Sequence, residues 1–237
     1  IPSKNETDSL LSLQRGVFAK CNLRIGDELT TENTYFAFPP SDGQLTASEF
    51  SKYSQFKLER GFSIDEPLQR SSIKISNSKE LLLSYAQMVN DLLVKSAVVV
   101  PKKFDLELSY HYGIERFTEV GLSMITLVNR GYCKKILICL PGQKHPEQFH
   151  KEKEETFHIL SGPLILLLDG QEHVLNAGDI MTIMPEQRHA FVSTEGAIFE
   201  EISSTHHICD SYYTDSLIMK NLQRKSHVKW VLNDEYA

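Results

Sequence analysis

The residues of this chain best suited to chemistry lie between Gly142 and Gly162, and again between Gly178 and His189. The first stretch holds His145, Gln148, His150, Lys153 and Glu155, and the second ends on His189. Imidazole nitrogens and a carboxylate oxygen together suit a borderline divalent metal, and three such donors leave coordination positions for water or substrate. Period-two alternation puts Gln148 and His150 on one strand face. Glu155 and Phe157 share a face as well, so His158 points the other way, into packing or the surface.

The elements that must carry these residues read as strands. After Pro101 the chain has strand-like runs at Leu106 to Tyr112, Met124 to Val128 and Lys135 to Leu140. Asn176-Ala177-Gly178-Asp179 supplies a turn before a strand over Ile180 to Met184. Upstream, Leu81, Leu82, Tyr85, Met88, Val89, Leu92 and Leu93 recur at helical spacing, with Asn77 and Glu80 as an N-cap pair. From Leu11 to about Lys74 the elements are short: a strand-like Gln14 to Ala19, a turn at Arg24 to Asp27, then Pro39-Pro40 and Asp42-Gly43.

Gly142 to Gly162 resembles the first cupin motif, with His150, Glu155 and Gly162 on their motif positions and Gln148 where the first histidine usually stands. Gly178 and His189 match the second motif at the right separation, with Pro185 shifted by one and Gln187 replacing its inner glycine. The resemblance implies a jelly-roll barrel with His150, Glu155 and His189 around a divalent metal: manganese, iron, zinc or nickel. The fourth ligand stays open between the weak amide oxygen of Gln148 and a His145 swinging in from the Lys144-His145-Pro146 turn.

Phe149-His150-x-x-Lys153-x-Glu155, with Glu200-Glu201-Ile202-Ser203-Ser204-Thr205 downstream, also resembles D-lyxose isomerases, which are cupin sugar isomerases. That resemblance makes Lys153 and Glu201 a proton-handling pair for interconverting an aldose and a ketose. The alternative for Lys153 is one more charge in the solvated run Lys151 to Glu155. The family's acidic stretch after that strand is replaced by His206-His207-Ile208. Paired loop histidines are expected to be solvated, although Asp210 and Asp215 lie close by in sequence.

The run Gln14 to Asn33, including Arg15-Gly16-Val17-Phe18-Ala19, Ile25-Gly26-Asp27 and Thr31-Glu32-Asn33, resembles the opening of antifreeze-like (SAF, β-clip) domains. Phe62 to Leu68 resembles the segment that closes them. In sialic acid synthases this domain follows a TIM barrel and lends an arginine to a partner's active site, whereas this chain reads Phe38-Pro39-Pro40 at the corresponding turn. Phenylalanine cannot make arginine's bidentate contact, so the unit is expected to dock rather than bind substrate.

The expected fold is thus mainly β: an antifreeze-like domain over 1-75, a linker helix over 76-100, a cupin barrel over 101-220 and a C-terminal tail over 221-237. The tail, from Gln223 to Trp230, is expected to dock on the barrel. Two function classes follow. Either the cupin is a metal-dependent sugar isomerase fused to a sialic or nonulosonic acid synthase, or it is a sugar-sensing, dimer-docking module. Both imply a sugar or sugar-phosphate ligand and a homodimer.

At 237 residues, 41% of them hydrophobic, the chain is an ordinary globular length and composition. The two domains leave no room for the ~250 residues of a TIM barrel, so that synthase barrel is expected to be missing. A start at Ile1 points the same way. Net charge is −6, with Lys and Arg dispersed, so nucleic acid is not an expected partner. Ile1 to Ser9 has no apolar signal core and no stretch is long enough to span a membrane. The four cysteines, Cys21, Cys133, Cys139 and Cys209, are widely spaced and read as reduced thiols in a cytoplasm.

Overall fold

The structure is a computed structural model that describes residues 13–50, 53–207, 209–221 and 224–232. Readings placed on Ile1 to Ser9, Leu11, Ile208 and Gln223 lie outside the described residues. The chain divides into one unit ending at Glu80 and a second beginning at Leu81.

The first unit holds four short strands, β1 (Gly16–Ala19), β2 (Thr34–Ala37), β3 (Ser54–Leu58) and β4 (Ile73–Asn77), paired antiparallel as β1 with β2 and β3 with β4. Its two halves repeat one another. Leu23 and Phe62 exchange backbone hydrogen bonds in both directions, at 2.8 and 3.0 Å. Gly26 N–H donates to the Leu58 carbonyl, as Asp65 N–H does to Ala19; Leu29 donates to Phe56, as Leu68 does to Val17. Each turn closes on its own carboxylate, with Arg24 N–H on Asp27 and Ser63 N–H on Glu66. Gly26 and Asp65 both take the left-handed backbone (φ 88 and 63) that the turn demands and that Gly and Asp tolerate best.

This pseudo-two-fold was not read from the sequence, because few residues are identical between the halves. What repeats is the apolar register: Val17, Ala19, Leu23 and Leu29 in one half, Phe56, Leu58, Phe62 and Leu68 in the other, all in one buried cluster. Crossed pairing of two hairpins over that cluster satisfies the backbone of a unit too small for a broad sheet.

The second unit opens with α1 (Lys79–Lys95), whose entry is capped by Asn77 Oδ1 accepting from Lys79 N–H at 2.8 Å. Expected as a linker, the helix belongs from Leu81 onward to the second unit. Tyr85 packs on Phe117 with ring centroids 4.8 Å apart, and Trp230 Nε1 donates to Asn90 Oδ1. Its buried face is Leu82, Tyr85, Ala86, Val89, Asn90 and Leu93; Met88 is exposed.

The strands of the second unit are β5 (Lys103–Tyr110), β6 (Gly121–Asn129), β7 (Cys133–Cys139), β8 (Lys144–Phe149), β9 (Glu155–Ser161), β10 (Leu164–Leu168), β11 (Gln171–Leu175), β12 (Ile180–Ile183), β13 (His189–Val192), β14 (Ala197–Ser203) and β15 (Tyr212–Tyr213). The short helix α2 (Ser216–Lys220) and β16 (Lys225–Val231) complete it. A seven-stranded sheet runs β12-β9-β14-β7-β6-β5-β16, and a five-stranded sheet runs β11-β10-β13-β8-β15. Their inner faces share one core, in which Phe157, Phe199 and Leu137 of the larger sheet meet Leu164, Leu166 and Phe191 of the smaller.

The expected tail is therefore partly an edge strand, β16, paired along β5 from Lys225 to Val231. Gly162 is required by close approach: a Cβ there would sit 2.0 Å from the Gly196 carbonyl oxygen. Cys133 and Cys139 are buried and Cys21 and Cys209 exposed, all unpaired. Among the described residues no helix is long and apolar enough to cross a membrane.

Candidate functional site

Sheet register brings the candidate residues together. His189 opens β13 directly opposite Gln148 on β8, and Glu155 opens β9 opposite Ser203 on β14. Glu201 sits between Lys135 on β7 and Phe157 on β9. His150 and Lys153 ride the short connection between β8 and β9. The ligand atoms of His150, Glu155 and His189 all lie within 4.8 Å of one another, and all three residues are buried.

The two imidazoles are held by their outer nitrogens. His150 Nδ1 donates to the Asp210 carbonyl at 2.5 Å and His189 Nδ1 to the Gln187 carbonyl at 3.2 Å. Each Nε2 is thereby left with its lone pair turned inward, toward Glu155 at 3.7 and 3.0 Å. His150 Nε2 and Glu155 Oε1 have no hydrogen-bond partner, a costly condition for buried polar atoms. A lone pair and a carboxylate oxygen, inward-facing and unpartnered, are what a divalent cation requires of its ligands, and the outer-nitrogen hydrogen bonds are the usual support for metal-bound histidine.

Beside this triad lies a buried ion network. Lys153 Nζ is 2.5 Å from Glu155 Oε2 and 2.9 Å from Glu201 Oε1, and Lys135 Nζ is 3.3 Å from the same Oε1. Burial alone would strip the Lys153 proton, but Glu155 and Glu201 outweigh it and raise its pKa above the ordinary lysine value. Burial likewise pushes both carboxyls up; Lys153 holds Glu155 well below the usual range, and Lys153 with Lys135 lowers Glu201. Burial lowers the pKa of His150, keeping its ring neutral. Lys153 is thus enclosed rather than part of a solvated charge run.

Glu201 and its neighbour Glu200 separate across β14. Glu201 is buried, whereas Glu200 faces outward to Lys134 at 2.6 Å and His158 at 3.3 Å. The three donors that reach Glu201, namely Lys153, Lys135 and Ser203, all converge on Oε1. Its Oε2 has no protein partner among the described residues.

Of the two candidates for the fourth ligand, His145 stands apart from the triad and Gln148 does not. His145 lies in β8 rather than in a turn, and its ring stacks on Phe191 at 4.6 Å. Strand register opposite Phe191 fixes it there, and desolvation with the nearby His111 holds its pKa well below the ordinary value. Gln148 lies beside the triad, its Nε2 3.3 Å from His189 Nε2.

One pocket is lined by His150 and Glu155 of the triad and by Lys135, Lys153 and Glu201 of the ion network. Residues the sequence reading missed line it as well. His206, expected to be solvated, lines the pocket, and burial with Lys135 lowers its pKa to about 4. Its backbone is stapled to Asn129 by two reciprocal hydrogen bonds of 3.0 and 3.1 Å. Tyr213 lines it too and is 3.1 Å from His111 Nε2. Lys135 carried one available signal, a charge inside an apolar strand. Nothing local marked Tyr213.

Residues 136–202 match the family described as "Cupin domain". Over 179 residues the chain is 28% identical to a D-lyxose/D-mannose isomerase of Thermosediminibacter oceani, covering 62% of this chain and 96% of that protein. Among solved structures, the L-ribose isomerase of Cellulomonas parahominis, crystallised with L-psicose, aligns over 60% of this chain and 94% of its own at 12% identity, with a TM-score of 0.49. A protein described as spore coat polysaccharide biosynthesis protein E from Chromobacterium violaceum is 42% identical over 31% of this chain, with a TM-score of 0.31. The alignment spans only 22% of that protein's length. The second unit of this mainly β chain therefore carries a cupin jelly-roll domain.

Proposed function

We propose that the cupin binds a divalent metal through His150, Glu155 and His189 and interconverts an aldose and a ketose, with Glu201 as base and Lys153 as hydrogen-bond donor. The observation that carries this reading is the pairing of an ionised, half-free carboxylate with a fixed ammonium beside the inward-facing triad. A metal at the triad supplies Lewis-acid polarisation of the sugar's carbonyl oxygen.

Glu201 is held ionised and presents Oε2, so it can take the proton from the carbon next to the carbonyl and return it to the carbonyl carbon, while the hydroxyl proton of that neighbouring carbon passes to the former carbonyl oxygen. Lys153 stays protonated between two carboxylates and can donate to a sugar oxygen as charge develops there. The flanking Lys135 and Ser203 occupy Oε1 and hold the carboxylate's orientation. Each pocket lysine is matched to a glutamate, Lys225 with Glu107 at 2.6 Å included, which favours an uncharged sugar over a sugar phosphate.

The wider reading is that this cupin belongs with a sialic or nonulosonic acid synthase-like protein whose first unit is an antifreeze-like docking module in a homodimer. The motif residues Gln14 to Asn33 and the crossed double hairpin of the first unit support that placement. A second reading, a sugar-sensing module without turnover, is favoured by one observation: Gln148 stands where a ligand histidine is usual.

Metal-loaded protein incubated with D-mannose or D-lyxose in deuterium oxide is expected to incorporate deuterium at C2. Glu201→Gln should lower that exchange by about 10²–10⁴-fold. Absence of exchange across a panel of uncharged aldoses would sink the isomerase reading, and sugar-induced rises in melting temperature would then favour the sensor.

A further inference from the structure

We infer that Asp210 is the positioning residue of the metal site, acting through both ends of the connection between β8 and β9. It rests on the metal-binding part of the proposed function and not on isomerase turnover. The Asp210 carboxylate is buried and accepts three successive backbone N–H groups: Lys151 at 2.9 Å, Glu152 at 3.2 Å and Lys153 at 3.0 Å. Its backbone carbonyl accepts His150 Nδ1–H. One residue thus sets the path of the segment that ends in Lys153 and fixes the ring of the ligand that begins it.

The chemistry explains why a carboxylate is needed. Three consecutive amides pointing to one side form a concave donor cluster that only an acceptor with several lone pairs can satisfy. Lys151 and Glu152 are exposed, but Lys153 is buried and its amide has no water to fall back on, so without Asp210 that amide must seek another partner and the loop must change path. The backbone carbonyl of residue 210 survives a side-chain change, but a shifted loop would carry the His150 ring away from it. Its Nδ1–H tautomer, which keeps the Nε2 lone pair on the metal side, would no longer be enforced.

The second imidazole ligand provides an internal control. His189 has its own carbonyl, that of Gln187, on a different segment. A defect at Asp210 should therefore disturb one ligand and spare the other, a pattern that general destabilisation of the barrel does not produce.

The test compares wild type with Asp210→Ala and Asp210→Asn in the full chain, free of sugar. Manganese or zinc affinity by competition with a chelating dye is expected to fall about 10–100-fold in Asp210→Ala, and less in Asp210→Asn, which keeps one acceptor oxygen. Long-range ¹⁵N–¹H spectra should show His150 leaving the single Nδ1–H tautomer while His189 retains it. Unchanged metal affinity with an unchanged His150 tautomer would overturn the inference, as would equal disturbance of both histidines. So would failure of both variants to fold, since Asp210 would then serve the fold and not the site. If the wild type takes up no metal, the metal reading fails, whereas the tautomer comparison still decides the role of Asp210.

Discussion

Among the described residues, the only buried polar side chains of the first unit are Thr34 and Gln44, whereas the second encloses Lys135, Lys153, Glu155, Glu201, Asp210 and the histidines 111, 145, 150 and 189. Both units are built from short antiparallel strands, so the secondary structure does not account for the contrast. The first unit is organised by repetition: two hairpins satisfy one another's backbone, and apolar side chains at matching positions fill the space between. The second could have been filled the same way, since replacing buried ion pairs by packed apolar groups is often neutral or stabilising. Its enclosed charges are thus hard to explain as a stability device and easy to explain as a site.

That contrast can be broken most directly at Lys153. Lys153→Met leaves Glu155 and Glu201 buried without their main partner and should cost about 3–5 kcal/mol by denaturant unfolding, with loss of any exchange activity. Adding Glu201→Gln should recover part of that stability and none of the activity. Full stability in the single variant would mean that the network is solvated and the comparison overdrawn.

An apolar truncation in the first unit should do the reverse. Phe56→Ala removes a fully buried ring and should cost about 3–5 kcal/mol within that unit, read as lost amide protection, while metal uptake by the cupin is kept.

Acid should separate the units as well. His111 and His206 have pKa values lowered from 6.5 to about 3 and about 4, by burial first, with Arg224 acting on His111 and Lys135 on His206. Below pH 6.5 the unfolded chain binds protons that the folded cupin refuses, so stability present at pH 7 declines as pH falls toward 4. The depressed carboxyls of Glu155 and Glu201 extend the loss below their ordinary range. Hydrogen exchange at pH 7 and pH 5 should show cupin strands weakening while the first unit changes little; equal weakening would remove the distinction.

Two smaller effects sharpen the same point. Gln148→His should tighten manganese or zinc binding by about tenfold, an imidazole replacing a weak amide, as a dye competition would report. The exposed pair Arg60–Glu66, at 2.8 Å, has a shape similar to the pocket's ion pairs, yet Arg60→Ala should leave the melting temperature nearly unchanged because water screens it.

By itself the sequence determined what is local. Motif spacing singled out His150, Glu155 and His189, the resemblance to sugar isomerases picked out Glu201, and the turn at Asn176 to Asp179 and the cap at Asn77 followed from residue type. Tertiary structure alone decided which strands lie side by side, and therefore that Lys135 on β7 reaches Glu201 on β14, that His145 stacks on Phe191 instead of turning to the triad, and that His206 and Tyr213 reach the pocket. The pseudo-two-fold of the first unit belongs to the same class. Alternation and capping depend on neighbours a few residues away, whereas sheet order and register are fixed by the burial of whole faces, a quantity no short stretch of sequence contains.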